Sequence, residues 1–326
     1  MEKYILTFSY TTPQNCKHWG ASSKAPSDIE QLVLQQGYKA FSLMLNPMRG
    51  KLYNWIVVLW QLITRVRRLP KSVLFIQYPT IHPIILRLAL PFLKKHYLIA
   101  LLHDINSIRV DGNLSSNERI VLSQFKELYV HSENMRAYFE AHLSKGIKYH
   151  VLDCFPYLAA SNQEPRHLSK KVCFAGNLNK SVFLENFIKN ERNIEFILYG
   201  TWTNNIADKY ENVTYLGCFT SENIQHLKGS WGLVWDGESL DACSGNWGKY
   251  LKIIAPHKFS MYLVAELPII VWKESAMAKL VEQNKLGITI NTLTELRDRI
   301  SRISSDEYDN IVLNIRNYRA NKKFIF

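Results

Sequence analysis

The sequence lacks long apolar runs, since no uninterrupted stretch approaches the roughly 20 residues of a membrane-spanning helix. A secretory signal is also missing, because Met1, Glu2 and Lys3 lead directly into the strand-like Tyr4–Phe8. The five cysteines are scattered without CxxC spacing, which disfavours a zinc site or a disulfide framework and is typical of reduced cytoplasmic thiols. Neither a P-loop nor GxGxxG is present. These absences predict a cytoplasmic protein without a membrane span.

The chain of 326 residues, 47% of them hydrophobic, is long enough for two domains with real cores. Its net charge of +12 calls for an anionic partner or surface. Nucleic acid, anionic lipid and a nucleotide-sugar all meet that requirement. Zinc-finger spacing and aromatic RNA-binding signatures are missing, which disfavours nucleic acid.

The first half begins with the pattern of a doubly wound α/β fold. Tyr4–Ser9 reads as a strand and Thr11–Ser27 as a polar loop. Asp28 is placed to cap the helix Ile29–Gln36, Gly37 ends it, and Lys39–Leu43 is the next strand. The loop follows a strand, at the sheet edge where ligands bind. Four of its residues could face a cleft, namely Gly20, Ser22, Ser23 and Lys24. The alternative is that the loop is an ordinary solvated surface loop.

Two further helices in this half have apolar or aromatic bodies and basic ends, Tyr53–Arg68 and Pro83–Lys95. Such helices suit peripheral contact with an anionic membrane surface. The alternative is that both simply pack on the sheet, with their basic ends in solvent.

A candidate general base follows the strand Tyr97–Leu102. His103 and Asp104 stand at its carboxyl end, and Arg109 lies five residues beyond Asp104. The carboxylate can accept a proton from a hydroxyl group, with the histidine tuning it. The alternative is an ordinary capped turn.

A second strand–helix alternation starts after a polar linker, Tyr157–Lys171. The strand Lys171–Phe174 leads into a glycine turn in which Gly176 and Asn177 let the backbone approach a phosphate that Lys180 can reach. A helix is predicted over Ser221–Lys228. The resulting division is a first domain over residues 1–160, a second over 170–305, and a terminal helix over 306–326 that packs back on the first domain.

The stretch Tyr250–Trp272 organises the second half. Pro256 suits the first turn of a helix, which places His257 and Lys258 beside the free N–H groups at its positive end, a phosphate-binding arrangement. Pro268 stops the helix before a buried strand. The alternative is a core helix with a solvated His–Lys pair.

Three carboxylate residues precede this stretch, and such a cluster could bind a metal ion. Asp236, Glu238 and Asp241 lie in a glycine-rich segment. That composition is more typical of a mobile loop over a nucleotide than of a rigid ligand cage, so no metal is expected.

The segments LLHDINSIR, CFAGNLNKS, GLVWDG, YLKIIAPHKFSMYLVAELPIIVW and NKLGITI together resemble bacterial GT-B glycosyltransferases. The greatest similarity is to β-1,6-galactofuranosyltransferases of polysaccharide and O-antigen assembly. Accessory glucosyltransferases of streptococcal serine-rich adhesins are more distantly similar. The resemblance implies two Rossmann-like domains facing each other across a cleft, a UDP-sugar bound by the second domain and a glycan acceptor held by the first.

The resemblance also implies which positions bind the nucleotide. Residues carried over for UDP are Lys180, Tyr199, Cys218, Phe219, Pro256, His257, Lys258, Phe259, Ser260 and Met261, and they add to Gly176 and Asn177 of the glycine turn. Positions suggested for substrate contact are Ala21, Ser22 and Arg109. Ile253 and Met261 stand where the large retaining families have paired glutamates, which favours an inverting reaction.

The sequence therefore predicts a metal-independent UDP-sugar hexosyltransferase with Asp104 as base and His103 beside it, acting on a lipid-linked glycan at the inner membrane face. Lys180 and Lys258 would stabilise the departing UDP. The first rival is a non-catalytic nucleotide-sugar or polyanion binding module. A nucleic-acid-binding protein is suggested only by the net charge. A homo-oligomer is left open.

Overall fold

The structure, a computed structural model, describes residues 1–10, 21–160, 164–203 and 206–326, with the side chains of Tyr10, Ala21, Ser22 and His226 outside the description. The described chain forms two compact units, each built on a six-stranded parallel sheet. The first unit contains the initial strand, Ala25–Leu152 and Phe324–Phe326. The second contains Asp153–Lys323 and, by its contacts, residues 21–24. This is the doubly wound α/β class that the sequence predicts.

The first sheet has the strand order β2-β1-β3-β4-β5-β6. Its strands are β1 Lys3–Tyr10, β2 Lys39–Leu45, β3 Val73–Tyr78, β4 Tyr97–Leu102, β5 Glu127–Val130 and β6 Lys148–Val151. The helices of this half are α1 Ala21–Gln35, α2 Lys51–Thr64, α3 Pro83–Leu93, α4 Asn106–Asp111, α5 Ser116–Leu122 and α6 Glu133–His142. Every residue of β3 is buried, as expected for a parallel strand covered on both faces.

The helix α1 begins eight residues earlier than predicted. The sequence placed residues up to Ser27 in a loop, whereas the helix starts at Ala21 and contains Pro26. Asp28 is consequently an interior residue, only 3% exposed, so the prediction that it caps this helix is wrong. The ammonium of Lys24 donates to the carbonyl of Leu158 at 2.5 Å, so tertiary contacts override the loop-like composition. Gly37 follows the helix with φ +86°, as predicted for its end.

The second sheet has the order β12-β11-β10-β7-β8-β9. Its strands are β7 Lys171–Ala175, β8 Glu195–Tyr199, β9 Val213–Tyr215, β10 Trp231–Val234, β11 Ile269–Trp272 and β12 Gly287–Ile290. Its helices are α7 Phe183–Asn190, α8 Gly245–Tyr250, α9 His257–Val264, α10 Ala278–Asn284, α11 Leu296–Ser301 and α12 Ser305–Asn321. The helix predicted over Ser221–Lys228 is wrong, because only the 3-10 turn Ile224–His226 forms there. Ile224 and Leu227 are both buried, and their spacing of three suits a 3-10 turn as well as an α-helix.

The C-terminal helix α12 packs within the second unit. Its Arg316 and Arg319 pair with the buried carboxylate of Glu266, at 2.8 and 3.2 Å. The hydroxyl of Tyr308 donates to the carbonyl of Ser230 at 2.7 Å. Beyond the helix, Phe326 is part of the first unit, with its ring centroid 5.3 Å from that of Tyr129.

No helix in the described parts of the chain combines the length and the apolarity needed to cross a bilayer.

Candidate functional site

The order in which strands are added to the second sheet reverses between β7 and β10. From β7 the chain moves through β8 to β9, and it then returns to add β10, β11 and β12 on the other side of β7. In open α/β sheets, ligands bind outside the carboxyl ends of the strands at such a switch point. Residues that follow β7 and β10 are therefore the candidates for ligand contact in this unit.

A glycine turn leaves the carboxyl end of β7. The Gly176 N–H donates to the Tyr199 carbonyl at 3.0 Å, and the 3-10 turn Leu178–Lys180 follows. Gly200, at φ +129°, lies so close that a Cβ there would stand 1.7 Å from the Gly176 carbonyl oxygen. Only glycine fits at position 200, whereas a Cβ at Gly176 would meet nothing closer than 3.9 Å. The ammonium of Lys180 lies 4.8 Å from the centre of the Trp247 ring of α8.

The helix α9 is fixed to the sheet by Tyr262, whose role the sequence analysis missed. The Tyr262 hydroxyl accepts a hydrogen bond from the Ala175 N–H at 2.8 Å, at the last residue of β7. Its ring fills the space left by Gly232 of β10, where a Cβ would lie 2.5 Å from the ring. The helix α9 is thereby held against β7 and β10.

Replacing Tyr262 by phenylalanine is expected to destabilise the second unit by about 1–3 kcal/mol, because the buried Ala175 N–H loses its acceptor. Urea unfolding monitored by circular dichroism measures this change. Tyr53→Phe is the matched control, since that tyrosine is 47% exposed on α2. Equal stability of the two variants would contradict the role of the Tyr262 hydroxyl in fixing α9 to the sheet.

Lys258 lies at the switch point. Its ammonium is 4.5 Å from the centre of the Phe174 ring of β7 and 3.4 Å from the carbonyl oxygen of Trp235, the residue after β10. Burial lowers the pKa of Lys258 below its ordinary value, and the nearby Asp236 carboxylate acts in the opposite direction. A desolvated cation beside the amino end of a helix attracts an anion strongly.

His257 takes the first helical position of α9. Its ring stacks on Tyr157 with centroids 4.8 Å apart, and the ammonium of Lys24 lies 5.4 Å from the same tyrosine ring. Burial, assisted by the charge of Lys24, lowers the pKa of His257 to about 4, so the imidazole is neutral at pH 7. Its Nε2 atom is buried without a hydrogen-bond partner. The positive charge at this helix end therefore comes from Lys258 and the helix dipole rather than from His257.

The next residues of α9 turn their side chains into the core. Phe259, Ser260 and Met261 are 0%, 2% and 7% exposed, so a ligand outside the helix would reach their backbone rather than their side chains. The Phe259 N–H already donates to the carbonyl of Pro256, the N-cap residue, at 2.9 Å.

The remaining positions predicted for the nucleotide in the second unit lie near β8. The buried Tyr199 hydroxyl accepts a hydrogen bond from the Lys228 N–H at 3.0 Å, and its ring meets Phe219 edge-on at 5.3 Å. The thiol of Cys218 is exposed and lies 3.8 Å from the Thr201 hydroxyl. Ala21 and Ser22 belong to the first turn of α1, with side chains outside the described part of the chain.

In the first unit, the residues after β4 form a hydrogen-bonded group. The Asp104 carboxylate pairs with the Arg109 guanidinium at 2.7 Å, and Arg109 also donates to Asn106 at 2.6 Å. Burial raises the pKa of Asp104 above its ordinary value despite the opposing charge of Arg109. His103 Nε2 lies 2.7 Å from the side-chain oxygen of Gln77. A half-buried carboxylate with a raised pKa is suited to accept a proton.

A buried carboxylate that the sequence analysis missed supports this loop. Glu118, 3% exposed, accepts hydrogen bonds from the hydroxyls of Ser107 in α4 and of Ser115 before α5. The Ser115 hydroxyl in turn accepts from the Glu118 N–H at 3.2 Å. Ser115 and Glu118 have the spacing of a capping box, which is the sequence signal that could have found them.

A cavity of about 220 Å³ opens at the carboxyl edge of the first sheet. It is bordered by Phe8 near the end of β1, by Arg49 just before α2, and by Asn54 and Trp55 in the first turns of α2. The Trp55 ring lies 4.1 Å from that of His82, the N-cap of α3. Aromatic faces next to cations and amides provide the groups that bind a sugar phosphate.

Within the described ranges, no group of three or more His, Cys, Asp or Glu side chains is arranged to hold a metal ion. Asp236, Glu238 and Asp241 therefore form no such group.

Known protein families match both halves of the chain. The family model "Glucosyltransferase 3-like, N-terminal domain" matches residues 3–154, and "Glucosyltransferase 3-like, C-terminal domain" matches residues 172–323. The β-1,6-galactofuranosyltransferase WbbI of Escherichia coli K12 is 30% identical over 304 residues, which cover 91% of this chain and 88% of that protein.

Solved structures with the same fold include HepE of Anabaena in complex with UDP and glucose, at a TM-score of 0.62 and 11% identity, with 99% of this chain and 95% of that chain covered. WaaG, a glycosyltransferase involved in lipopolysaccharide biosynthesis, aligns at a TM-score of 0.57 and 12% identity, covering 98% and 95%. The two parallel sheets and these similarities define a glycosyltransferase of the GT-B fold. The chain belongs to the glucosyltransferase 3-like family, which confirms the resemblance found in the sequence.

Proposed function

We propose that this glycosyltransferase moves a galactofuranosyl group from a UDP-sugar to a lipid-linked glycan acceptor in bacterial polysaccharide assembly. WbbI, the relative that spans most of the chain, is a β-1,6-galactofuranosyltransferase, which supports galactofuranose as the transferred sugar. The UDP in HepE supports the nucleotide. The observation that carries the proposal is the position of the Lys258 ammonium, between the carboxyl ends of β7 and β10 and beside the amino end of α9.

The donor diphosphate would lie against Lys258 and the first N–H groups of α9. The negative phosphates would stabilise the charged form of Lys258, whose pKa burial lowers. They would also accept hydrogen bonds from the free N–H groups at the amino end of the helix. The neutral imidazole of His257 can donate or accept a single hydrogen bond there. Lys180, held over the Trp247 ring, is the second cation assigned to the departing UDP.

The acceptor would bind to the first unit, in the cavity between the starts of α2 and α3. Trp55 offers a ring face to a sugar, and Arg49 offers a cation to the phosphate of a lipid-linked glycan. The donor belongs to the second unit and the acceptor to the first.

The reaction would be a direct displacement. The acceptor oxygen bonds to the anomeric carbon, the bond between that carbon and the UDP oxygen breaks, and Asp104 takes the proton of the acceptor hydroxyl. UDP leaves with both electrons of the broken bond, and the lysines stabilise its charge without a metal. Ile253 and the buried Met261 occupy the two positions at which retaining families carry glutamates, which supports inversion.

A screen of UDP-sugars with lipid-linked acceptors tests the proposal. We expect turnover with UDP-galactofuranose in the presence of EDTA, and a product whose anomeric configuration by NMR is inverted relative to the donor. Turnover with UDP-glucose alone would refute the sugar assignment. Retained configuration, or a requirement for added divalent cations, would refute the mechanism.

A further inference from the structure

Two helices of the first unit carry apolar side chains on their outward sides. Exposed fractions on α2 are 68% for Leu52, 59% for Ile56 and 60% for Trp60. On α3 they are 46% for Ile84, 52% for Leu88 and 37% for Phe92. A spacing of four residues places each trio along one side of its helix. These six side chains are called the apolar face below.

The two trios are parts of one surface, because α2 and α3 pack side by side. Near their amino ends the Trp55 and His82 rings are 4.1 Å apart, and near their carboxyl ends the Arg67 guanidinium lies 5.6 Å from the Phe92 ring. Each trio extends over about 12 Å, given a rise of about 1.5 Å per residue. Packed helices lie about 8–10 Å apart, so the two rows of exposed apolar side chains belong to neighbouring helices.

The charge around this face has one sign. Residues 31–103 contain no Asp or Glu, and the nearest carboxylates in the sequence are Glu30 and Asp104. On the neighbouring α5, Glu118 is buried. The same segment contains ten basic residues, all of them exposed: Lys39, Arg49, Lys51, Arg65, Arg67, Arg68, Lys71, Arg87, Lys94 and Lys95. Of these, Lys39 pairs with the carboxylate of Glu2. An apolar patch surrounded by cations is complementary to an anionic bilayer, in which hydrocarbon lies beneath phosphates.

We propose that the apolar face docks the protein on anionic phospholipid, with its six side chains entering the interfacial layer and the surrounding cations contacting lipid phosphates. A second copy of the chain is a poorer occupant, because it would bring two cationic rims together without a carboxylate from this segment to pair them. Nucleic acid would compensate the cations but leave the aliphatic side chains unused. The proposal does not depend on the reaction or on the donor.

Co-sedimentation of the full chain with vesicles tests the proposal. We expect binding to vesicles of phosphatidylcholine mixed with phosphatidylglycerol and not to phosphatidylcholine alone, with affinity falling as salt rises. Brominated lipid should quench tryptophan fluorescence, and Trp60→Phe should remove most of that quenching, because Trp60 lies in the apolar face.

Ile56→Glu and Leu88→Glu, made singly, are expected to weaken binding at least about tenfold, because each removes an inserting side chain and adds a like charge to that of the lipid. Leu313→Glu is the matched control, since Leu313 is 51% exposed on α12. Arg67→Gln combined with Arg68→Gln should lower the affinity for anionic vesicles roughly fivefold for each charge removed. The same double change at Arg299 and Arg302, exposed on or next to α11, should cost little.

Circular dichroism of each variant confirms that it folds. Three outcomes would overturn the proposal. One is an absence of vesicle binding by the unmodified protein. Another is equal loss in Ile56→Glu and Leu313→Glu, which would mean that adding charge anywhere suffices. The third is a dimer, detected by sedimentation velocity, that Ile56→Glu dissociates, which would assign the face to a second copy.

Discussion

Replacement of Lys258 by alanine is expected to lower turnover by about 10²–10³-fold, because the charge that develops on departing UDP would lose its desolvated cation. UDP itself should bind roughly 10- to 100-fold more weakly, as expected for loss of a charge-assisted contact. Steady-state kinetics and calorimetric titration with UDP measure the two effects. Lys258→Met is the sharper variant, since methionine keeps most of the side-chain length and removes the ammonium group.

Lys279→Ala serves as the control, because that lysine is exposed on α10 of the same unit. Unchanged activity and unchanged UDP affinity in Lys258→Met would remove the basis of the donor site. The pH dependence supplies a separate check. Burial lowers the pKa of Lys258, so the free protein loses this ammonium at a lower pH than an ordinary lysine would. UDP affinity should fall as the pH rises through that pKa, and Lys258→Met should not show this fall.

The alternation of strands and helices was predictable because it depends on local composition. Strand β11 is a continuous apolar run and β3 is one apart from Gln77, and a parallel strand buried on both faces favours such a run. The start of α1 was not predictable in this way, because Pro26 and the surrounding serines favour a loop when read alone. Contacts of Lys24 with residues more than 130 positions away stabilise the helix there.

In the candidate site, too, features that depend on the local sequence were predictable and features that depend on distant contacts were not. Lys258 was identified because a proline followed by an apolar run marks a helix start, and the charge follows directly. The role of Tyr262 was missed because a tyrosine in a core helix has the pattern of an apolar residue, and its acceptor function depends on the distant Ala175 N–H. The neutrality of His257 likewise depends on burial and on Lys24, neither of which the local sequence reveals.

Replacement of Asp104 by asparagine is expected to lower turnover by about 10²–10⁴-fold while UDP affinity stays unchanged, because the change removes a proton acceptor and leaves the donor site intact. Asp111→Asn, at the last residue of the following helix α4, is the control, since its carboxylate is exposed. A non-catalytic binding module would show no turnover to lose, and loss in His103→Gln with full activity in Asp104→Asn would transfer the role of base to the histidine.

The pH profile distinguishes a base from a residue that only shapes the loop. Burial raises the pKa of Asp104, and a base must be deprotonated, so kcat/KM should fall with decreasing pH at a value above that of an ordinary aspartate. Arg109 lowers the pKa of the same carboxyl through its charge and its hydrogen bond. Arg109→Met should therefore move the acid limb to still higher pH while some turnover remains. An acid limb that stays in place in Arg109→Met would show that the titrating group is not Asp104.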